Sequence, residues 1–181
     1  VLADQRRTFT AWTSATTPLV EGGVQHITID RDGIVWMFGY HGTASRFDGR
    51  EWTRVVVCTK MHEPHPVREC IIDDVLEHNN SLSVIACGSV VEIGRLSGRV
   101  QRVIDLPTWT GRGHLVSPNR VEYMGGTMTM VIDLAARTVG VHRVQVPPKM
   151  KKGFDKRHRF EDSVLRRWHA EHPTFTIHDV P

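Results

Sequence analysis

The chain has 181 residues, of which 40% are hydrophobic and 24% charged, and its formal net charge is +3. These values are typical of a soluble globular protein with one sizeable core, or one domain plus an appendage. No apolar run approaches the roughly 20 residues that a membrane span needs, and the amino terminus lacks a charged-then-apolar signal pattern. We therefore expect a cytoplasmic protein that does not contact a membrane.

The chain contains three cysteines, Cys58, Cys70 and Cys87. An odd number at irregular spacing argues against a disulfide framework and favours a reducing compartment.

The stretch from Val24 to Val57 predicts a four-stranded antiparallel meander. Polar and apolar residues alternate in its first run, as in a strand with one buried face. Asp32-Gly33 and Asp48-Gly49 each lie between β-prone runs and predict tight turns, because glycine reaches positive φ without steric cost. The predicted strands are His26 to Asp30, Ile34 to Phe38, Ala44 to Phe47 and Glu51 to Val57.

Residues 9–57 resemble the two-component regulator propeller repeat, in which each copy forms one blade of a β-propeller. The resemblance is carried by Asp32-Gly33, Trp36, Gly39, Gly42, Arg46-Phe47-Asp48-Gly49 and Trp52, with Phe9 and Trp12 matching the end of a preceding blade. It implies a sensor or interaction domain without catalytic residues. The chain departs from the family pattern at Met37-Phe38 and Thr43-Ala44.

The same pattern of turn, strand, glycine break and second turn recurs twice. Ile71 to Val103 has turns at Asn79-Asn80 and Ser97-Gly98, and Gly113 to Val146 has turns at Pro118-Asn119 and Ala136-Arg137. The first turns of the three copies are 47 and 39 residues apart, as in propeller blades of about 40 to 50 residues. We predict a mainly β fold, a propeller-like stack of about three four-stranded antiparallel meanders in residues 1–146.

Closed propellers usually have about four to eight blades, so three copies leave the closure open. A composite fourth sheet from Arg7 to Trp12 and Phe175 to His178 is one solution. A ring of two chains is a second, and a prism or sandwich is a third.

Residues 147–181 are predicted to form a basic linker, a helix and a short terminal strand. Pro147-Pro148 ends the β pattern, and the charge excess of the chain lies entirely beyond Val146, with 8 basic against 5 acidic residues. A helix is predicted from Asp155, as its cap, to a stop at His172-Pro173. Phe160, Val164, Leu165 and Trp168 form its apolar face, which packs either on the β domain or on a partner.

Four groups of residues have the composition of a site. Cys58, His62, His65 and Cys70 offer zinc-type ligands, but their spacing matches no common finger, so an exposed connector without a metal is favoured. His169 and His172 lie one helical turn apart without the acidic partner of a metalloprotease motif, and with His158 and His178 they are expected on the surface. Asp73-Asp74 and Glu77 could supply an acid and a base, but adjacent strand residues point to opposite faces.

The fourth group is the basic run from Lys149 to Arg159, which suits a nucleic-acid backbone or an acidic protein surface. The predicted partner-binding residues are Lys149, Lys151, Lys152, Lys156, Arg157, Arg159, Phe160, Val164 and Trp168.

The function predicted from sequence is a non-enzymatic interaction or structural subunit of a larger assembly, which docks a protein partner or a second copy and needs no cofactor. The alternatives are a hydrolase or nuclease that uses the clustered histidines and Asp73-Asp74, and a nucleic-acid-binding subunit that uses the basic tail.

Overall fold

The computed structural model describes Pro18 and residues 23–58, 70–107, 112–144 and 151–180, except for the side chains of residues 151 and 152. Within these ranges the protein is mainly β, with thirteen strands in three sheets and one helix near the carboxyl end. Sheet 1 contains β1 (Val24–Ile29), β2 (Val35–Gly39), β3 (Thr43–Phe47) and β4 (Trp52–Val56).

Sheets 2 and 3 follow in chain order. Sheet 2 contains β5 (Ile72–His78), β6 (Ser81–Ala86), β7 (Ser89–Gly94) and β8 (Val100–Asp105). Sheet 3 contains β9 (Arg112–Ser117), β10 (Arg120–Met124), β11 (Met128–Asp133), β12 (Thr138–Arg143) and β13 (Thr176–Val180).

The three predicted meanders are confirmed. Strands β1 to β12 pair with their chain neighbours in antiparallel order within each sheet, and every predicted turn lies between two strands. The first turn shows the local chemistry. Gly33 has a φ of +78°, and the carboxylate of Asp30 accepts the backbone N–H groups of Asp32 and Ile34 at 3.0 Å each.

The composite fourth sheet is wrong for the carboxyl-terminal strand. β13 pairs in parallel with β12, with Val139 opposite Ile177, and becomes the outer edge of sheet 3. A parallel partner requires a long crossover, and the helix between β12 and β13 supplies it. The other half of that prediction, Arg7 to Trp12, lies outside the described residues.

Two hydrophobic clusters hold the sheets together. The first lies between sheets 1 and 2 and contains Trp36, whose side chain is fully buried, together with Phe38 and Leu82. The second joins sheet 2 to sheet 3 and to the helix and contains Ile85, Met130 and Trp168 among others. Sheet 2 therefore lies in the middle and buries apolar residues on both faces.

From the sequence we expect both large aromatics of the first meander, Trp36 and Trp52, to be largely buried between adjacent sheets, and this expectation is wrong for Trp52. It is partly exposed, and its ring stacks on Phe47 with centroids 5.0 Å apart. The four-residue turn after β3 pairs Phe47 with Trp52, and Phe47 pairs with Val35, the neighbour of Trp36. Side chains alternate along a strand, so Trp52 lies on the face opposite to Trp36.

The helix α1 (Lys151–Glu171) begins four residues before the predicted cap at Asp155, within the stretch predicted to be a flexible link. Lysine is a good helix former, and Gly153 costs only about 1 kcal/mol inside a helix. Asp155 is consequently an exposed residue of the second turn. The predicted end is confirmed, because the helix stops before His172-Pro173.

Candidate functional site

The three cysteines meet at one end of sheets 1 and 2. Cys58 follows β4, Cys70 precedes β5 and Cys87 follows β6, and their three Sγ atoms lie within 4.8 Å of one another. Cys70 is buried, whereas Cys58 and Cys87 are half-buried. We name this group the sulfur cluster.

The sulfur cluster corrects the expectation of a chain without disulfides, since Cys70 and Cys87 are disulfide-bonded. Ile72 pairs with Ala86 across the predicted hairpin of Asn79-Asn80, and the next step of that register places Cys87 opposite Ile71, the chain neighbour of Cys70. The predicted hairpin therefore brings the two cysteines to the same end of sheet 2, although it does not pair them directly, and their spacing alone gave no sign of the bond.

The zinc candidates are brought together only in part. Cys58 and Cys70 are neighbours in the sulfur cluster, whereas His62 and His65 lie outside the described residues. Cys87, which the sequence analysis did not include among the zinc ligands, supplies the third sulfur.

Backbone contacts hold each cysteine in place. The Gly42 carbonyl accepts the N–H groups of Val57 and Cys58 at 2.8 and 2.9 Å, and Cys70 N donates to Tyr40 O at 2.5 Å. A Cβ at Gly42 would lie 2.5 Å from the Cys58 Cβ, and the φ of Gly42 is +65°. Only glycine fits beside the sulfur cluster at this position.

Gln25 of β1 ties the start of β5 to sheet 1. Its side-chain amide donates to Cys70 O at 2.7 Å and accepts from Ile72 N at 2.8 Å. Cys87 itself has a φ of +51°, a left-handed conformation that is uncommon for a residue with a side chain. Cys58, Cys70 and Cys87 are thus each positioned by secondary structure.

A cleft of about 330 Å³ opens beside Cys87, between sheet 2 and helix α1. Its floor is apolar and its rim carries both charges. The lining includes Cys87, Gly88, Leu106, Val164, Arg167 and Glu171. One member of the sulfur cluster therefore borders a concave surface.

The opposite end of sheets 1 and 2 carries a buried ionic cluster. The guanidinium of Arg95, which is 3% exposed, contacts the carboxylate of Asp32 and lies 3.7 Å from Asp30 and 3.6 Å from Glu77. Asp30 also accepts a hydrogen bond from the Trp36 indole N–H at 3.2 Å. Glu77, one of the predicted acid–base carboxylates, also accepts the backbone N–H of Arg31 at 3.1 Å, and this contact joins sheet 2 to the first turn of sheet 1.

Asp73 and Asp74 do not point to opposite faces as expected. The register of β5 and β6 shifts between Ile72 and Asp74, and this bulge directs both carboxylates toward β9. Asp73 accepts Gly113 N–H at 3.2 Å, and Asp74 accepts Leu115 N–H at 2.7 Å. Burial raises the pKa of the Asp73 carboxyl, although the Gly113 hydrogen bond and Arg112 act to lower it.

Asp74 also contacts the imidazole Nδ1 of His114 at 2.7 Å, where the histidine is largely exposed. Such a pair resembles the orientation of a general base by a carboxylate. Because Asp74 is at the same time bonded to the backbone of β9, the geometry is that of a link between sheets 2 and 3.

The four carboxyl-terminal histidines differ in their contacts and in their exposure. His169 Nε2 bonds to Phe175 O at 2.8 Å, and His172 Nδ1 bonds to Trp168 O at 2.9 Å while its ring stacks on the indole at 4.6 Å. His158 is half-buried and His178 is exposed. His169 lies in the last turn of α1 and His172 directly after it, and each imidazole bonds to a backbone carbonyl rather than to the other histidine.

The predicted partner-binding residues separate into buried and exposed groups. Trp168 is buried, and its indole N–H donates to Asp105 O at 3.0 Å, whereas Val164 is half-buried beside the cleft. Phe160 is 55% exposed. The helix thus packs the inner part of its apolar face on its own sheets.

The basic run is described only in part. Lys149 and the side chains of Lys151 and Lys152 lie outside the described residues. Lys156 and Arg159 are exposed, while Arg157 donates to Glu161 at 3.2 Å. Binding of an acidic surface or a nucleic acid by this run stays a prediction.

Among the residues described, no helix combines the length and the apolar character needed to cross a lipid bilayer. No protein-family model matches the chain, and no curated protein sequence matches it. The resemblance of residues 9–57 to a propeller repeat therefore rests on its motif.

Proposed function

We propose that this protein is a non-enzymatic interaction or structural subunit of a larger assembly. Its three sheets act as propeller-like blades, and the stack is extended by a second copy of the chain that packs on the face of sheet 1 opposite to the Trp36 cluster. The observation that carries this proposal is the apolar character of that face.

The outer face of sheet 1 is the name that we give to the side opposite to the Trp36 cluster. Cross-strand pairs place one apolar row from Ile29 through Val35 and Phe47 to Trp52. The next row contains the apolar pair Ile27 and Met37, followed by Ser45 and Arg54. Ile27 is 58% exposed and Ile29 65% exposed. Neither of the two described core clusters includes a residue of the outer face.

The far face of sheet 3 has a different chemistry. One cross-strand row runs from His114 through Glu122, Val131 and Gly140 to His178, and the next contains Arg112, Met124, Thr129 and His142. Charged and polar groups of that kind are solvated at little cost, whereas the outer face of sheet 1 gains by burial. A head-to-tail stack would join unlike faces, so a two-fold pair through the outer face is favoured.

The size of the outer face sets the strength of the association. Four strands about 4.8 Å apart and five residues of about 3.3 Å each cover roughly 19 by 17 Å. That area is small beside the roughly 800 Å² that each partner buries in a standard interface. We therefore expect a reversible dimer with a dissociation constant in the micromolar range.

The test is the native mass of the protein by sedimentation velocity across a range of concentrations. Wild type should change from monomer to dimer as concentration rises. Ile29→Lys should remain monomeric, because a charge in the apolar row would have to be desolvated. Met124→Lys on the far face of sheet 3 is the matched control, since Met124 is 63% exposed, and it should dimerise like wild type.

Two outcomes would contradict the proposal. One is a protein that stays monomeric at every concentration, and the other is a dimer that Ile29→Lys leaves intact. The backbone carbonyl of Pro18 accepts a hydrogen bond from the Ser45 hydroxyl at 2.6 Å on this same face. Unfolding of the monomer by Ile29→Lys would therefore show that the segment before β1 covers the outer face within one chain.

A further inference from the structure

Three sulfur atoms from three different elements are unusual at one point of a small fold. The Sγ atoms of Cys58, Cys70 and Cys87 all lie within 4.8 Å of one another, and the disulfide engages Cys70 and Cys87. A disulfide needs only two sulfurs. The position of Cys58 beside the bonded pair calls for a role that uses all three.

Zinc supplies such a role. Zn²⁺ binds cysteine thiolates at about 2.3 Å in a tetrahedron, so its sulfur ligands lie about 3.8 Å from each other. Breaking the Cys70–Cys87 bond lets the two sulfurs separate toward that distance, while Cys58 is already within 4.8 Å of both. The sulfur atoms would have to move by about 1 to 2 Å, and rotation of the cysteine side chains is enough for a movement of this size.

We propose that the sulfur cluster is a redox-controlled zinc site, formed by the thiolates of Cys58, Cys70 and Cys87 when the disulfide is reduced. A dithiol reductant donates two electrons and two protons to the Cys70–Cys87 bond and leaves as its own disulfide. Binding of one Zn²⁺ then releases the three thiol protons. The fourth zinc position is filled by water or by another donor.

The scaffold around the cluster suits this exchange. Gly42 leaves space that any side chain would fill, and the backbone contacts of Cys58 and Cys70 keep their Cα atoms in place in either state. Cys87 borders the cleft under helix α1, which gives a reductant and a metal ion access. A bound zinc ion would join β4 of sheet 1 to β5 and β6 of sheet 2, the same junction that Gln25 bridges.

The experiment uses the full chain in two redox states. The protein is reduced anaerobically with a phosphine, freed of reductant, and titrated with Co²⁺, and a second sample is treated identically without reduction. The reduced protein should bind one Co²⁺ with thiolate charge-transfer absorption and the intense visible bands of a tetrahedral site, and Zn²⁺ should displace it. The oxidised protein should show neither signal.

A variant and a chemical readout distinguish the cluster from adventitious binding by the 11 histidines of the chain. Cys58→Ser keeps the disulfide pair but removes one ligand, and it should weaken zinc binding by about 100-fold, the share of one ligand in a structural zinc site. Zn²⁺ should also protect three thiols of the reduced wild type from maleimide, counted by mass spectrometry. His114→Ala, an exposed site on β9, is the control and should leave both results unchanged.

The proposal is overturned if the reduced wild type binds no metal, or if it binds zinc while all three thiols still react with maleimide. It is equally overturned if folded Cys58→Ser, judged by its circular dichroism spectrum, binds zinc as tightly as wild type.

Discussion

At the scale of the single residue, two tryptophans of one meander have different roles because they occupy opposite faces of sheet 1. Trp36 is fully buried between sheets 1 and 2 and donates a hydrogen bond to Asp30. Trp52 lies on the outer face and stacks on Phe47. Both belong to one meander, but the turn between β3 and β4 sets which face each indole occupies.

This difference predicts unequal costs of substitution. Trp36→Ala should lower the free energy of unfolding by about 3 to 5 kcal/mol, because it empties a close-packed site. Trp36→Phe keeps most of the ring but leaves the Asp30 carboxylate without one donor, at a cost of about 1 to 3 kcal/mol. Trp52→Ala should cost less than Trp36→Ala, as measured by urea denaturation of the monomer at low concentration. Equal decreases in unfolding free energy for the two alanine variants would contradict this prediction, because they would show that the difference in burial does not affect stability.

At the scale of the element, β5 and β9 are joined by side chain to backbone rather than by a strand ladder. The bulge in β5 lets Asp73 and Asp74 bond to successive inward residues of β9, Gly113 and Leu115. A Cβ at Gly113 would lie 2.8 Å from Ile85 Cδ1, so any other residue at this position would require the buried Ile85 side chain to move. The two carboxylates thus fix the spacing between sheets 2 and 3.

The raised pKa of Asp73 predicts a pH-dependent effect of Asp73→Asn. Burial favours the protonated acid in the folded state, so the ionised carboxylate lowers stability once the pH exceeds the ordinary value of 3.8. The amide of asparagine still accepts the Gly113 N–H without a charge. Relative to wild type, the variant should gain stability as the pH rises through the Asp73 pKa and keep that gain to neutral pH.

The measurement is the difference in unfolding free energy between Asp73→Asn and wild type, from about pH 3 to pH 8. Asp74→Asn is the comparison, and it should lose stability near neutrality because it weakens the contact with His114. A loss for Asp73→Asn that is the same at every pH would contradict the assigned cause.

At the scale of the whole molecule, the carboxyl-terminal segment is part of the β domain's core. Leu165, Trp168 and Phe175 lie in the cluster with residues of sheets 2 and 3, and β13 is the edge of sheet 3. The fully buried Glu161 accepts a hydrogen bond from Thr127, and Arg143 contacts Asp162 at 2.6 Å. A docking role remains a prediction for the exposed part of the helix, such as Phe160.

Removing residues 147–181 should therefore prevent the remainder from folding cooperatively. The deletion exposes one side of the second cluster and leaves β12 as an open edge. Loss of a sharp thermal transition and binding of the dye ANS are the expected signs. A truncated protein that keeps its transition would identify the segment as an independent arm.

A pair of point variants serves as the control for that deletion. Leu165→Ala, at a residue 4% exposed, should cost about 2 to 5 kcal/mol, whereas the exposed Phe160→Ala should cost less than about 1 kcal/mol. The same two substitutions distinguish packing from docking, because Leu165 is buried whereas the Phe160 side chain is exposed to another molecule.

Much of the fold follows from the sequence because it rests on local chemistry. Asp-Gly and Asn-Asn pairs require tight turns, glycines end strands, and a proline after His172 ends the helix, whatever the rest of the chain does. These signals predicted twelve strands in three meanders and the end of α1. These signals act between residues that are close in sequence, so they can be interpreted without knowing how the sheets pack.

The sequence alone did not determine which distant parts of the chain contact each other. The face of Trp52, the bulge at Asp73-Asp74, the parallel pairing of β13 and the burial of Trp168 all depend on register and on neighbours distant in the chain. The sulfur cluster is the clearest case, because Cys70 and Cys87 lie at one end of sheet 2, whereas Cys58 follows sheet 1 and reaches them only when the two sheets stack. Contacts between stacked sheets arise from the burial of apolar faces, and that burial is a property of the assembled tertiary structure.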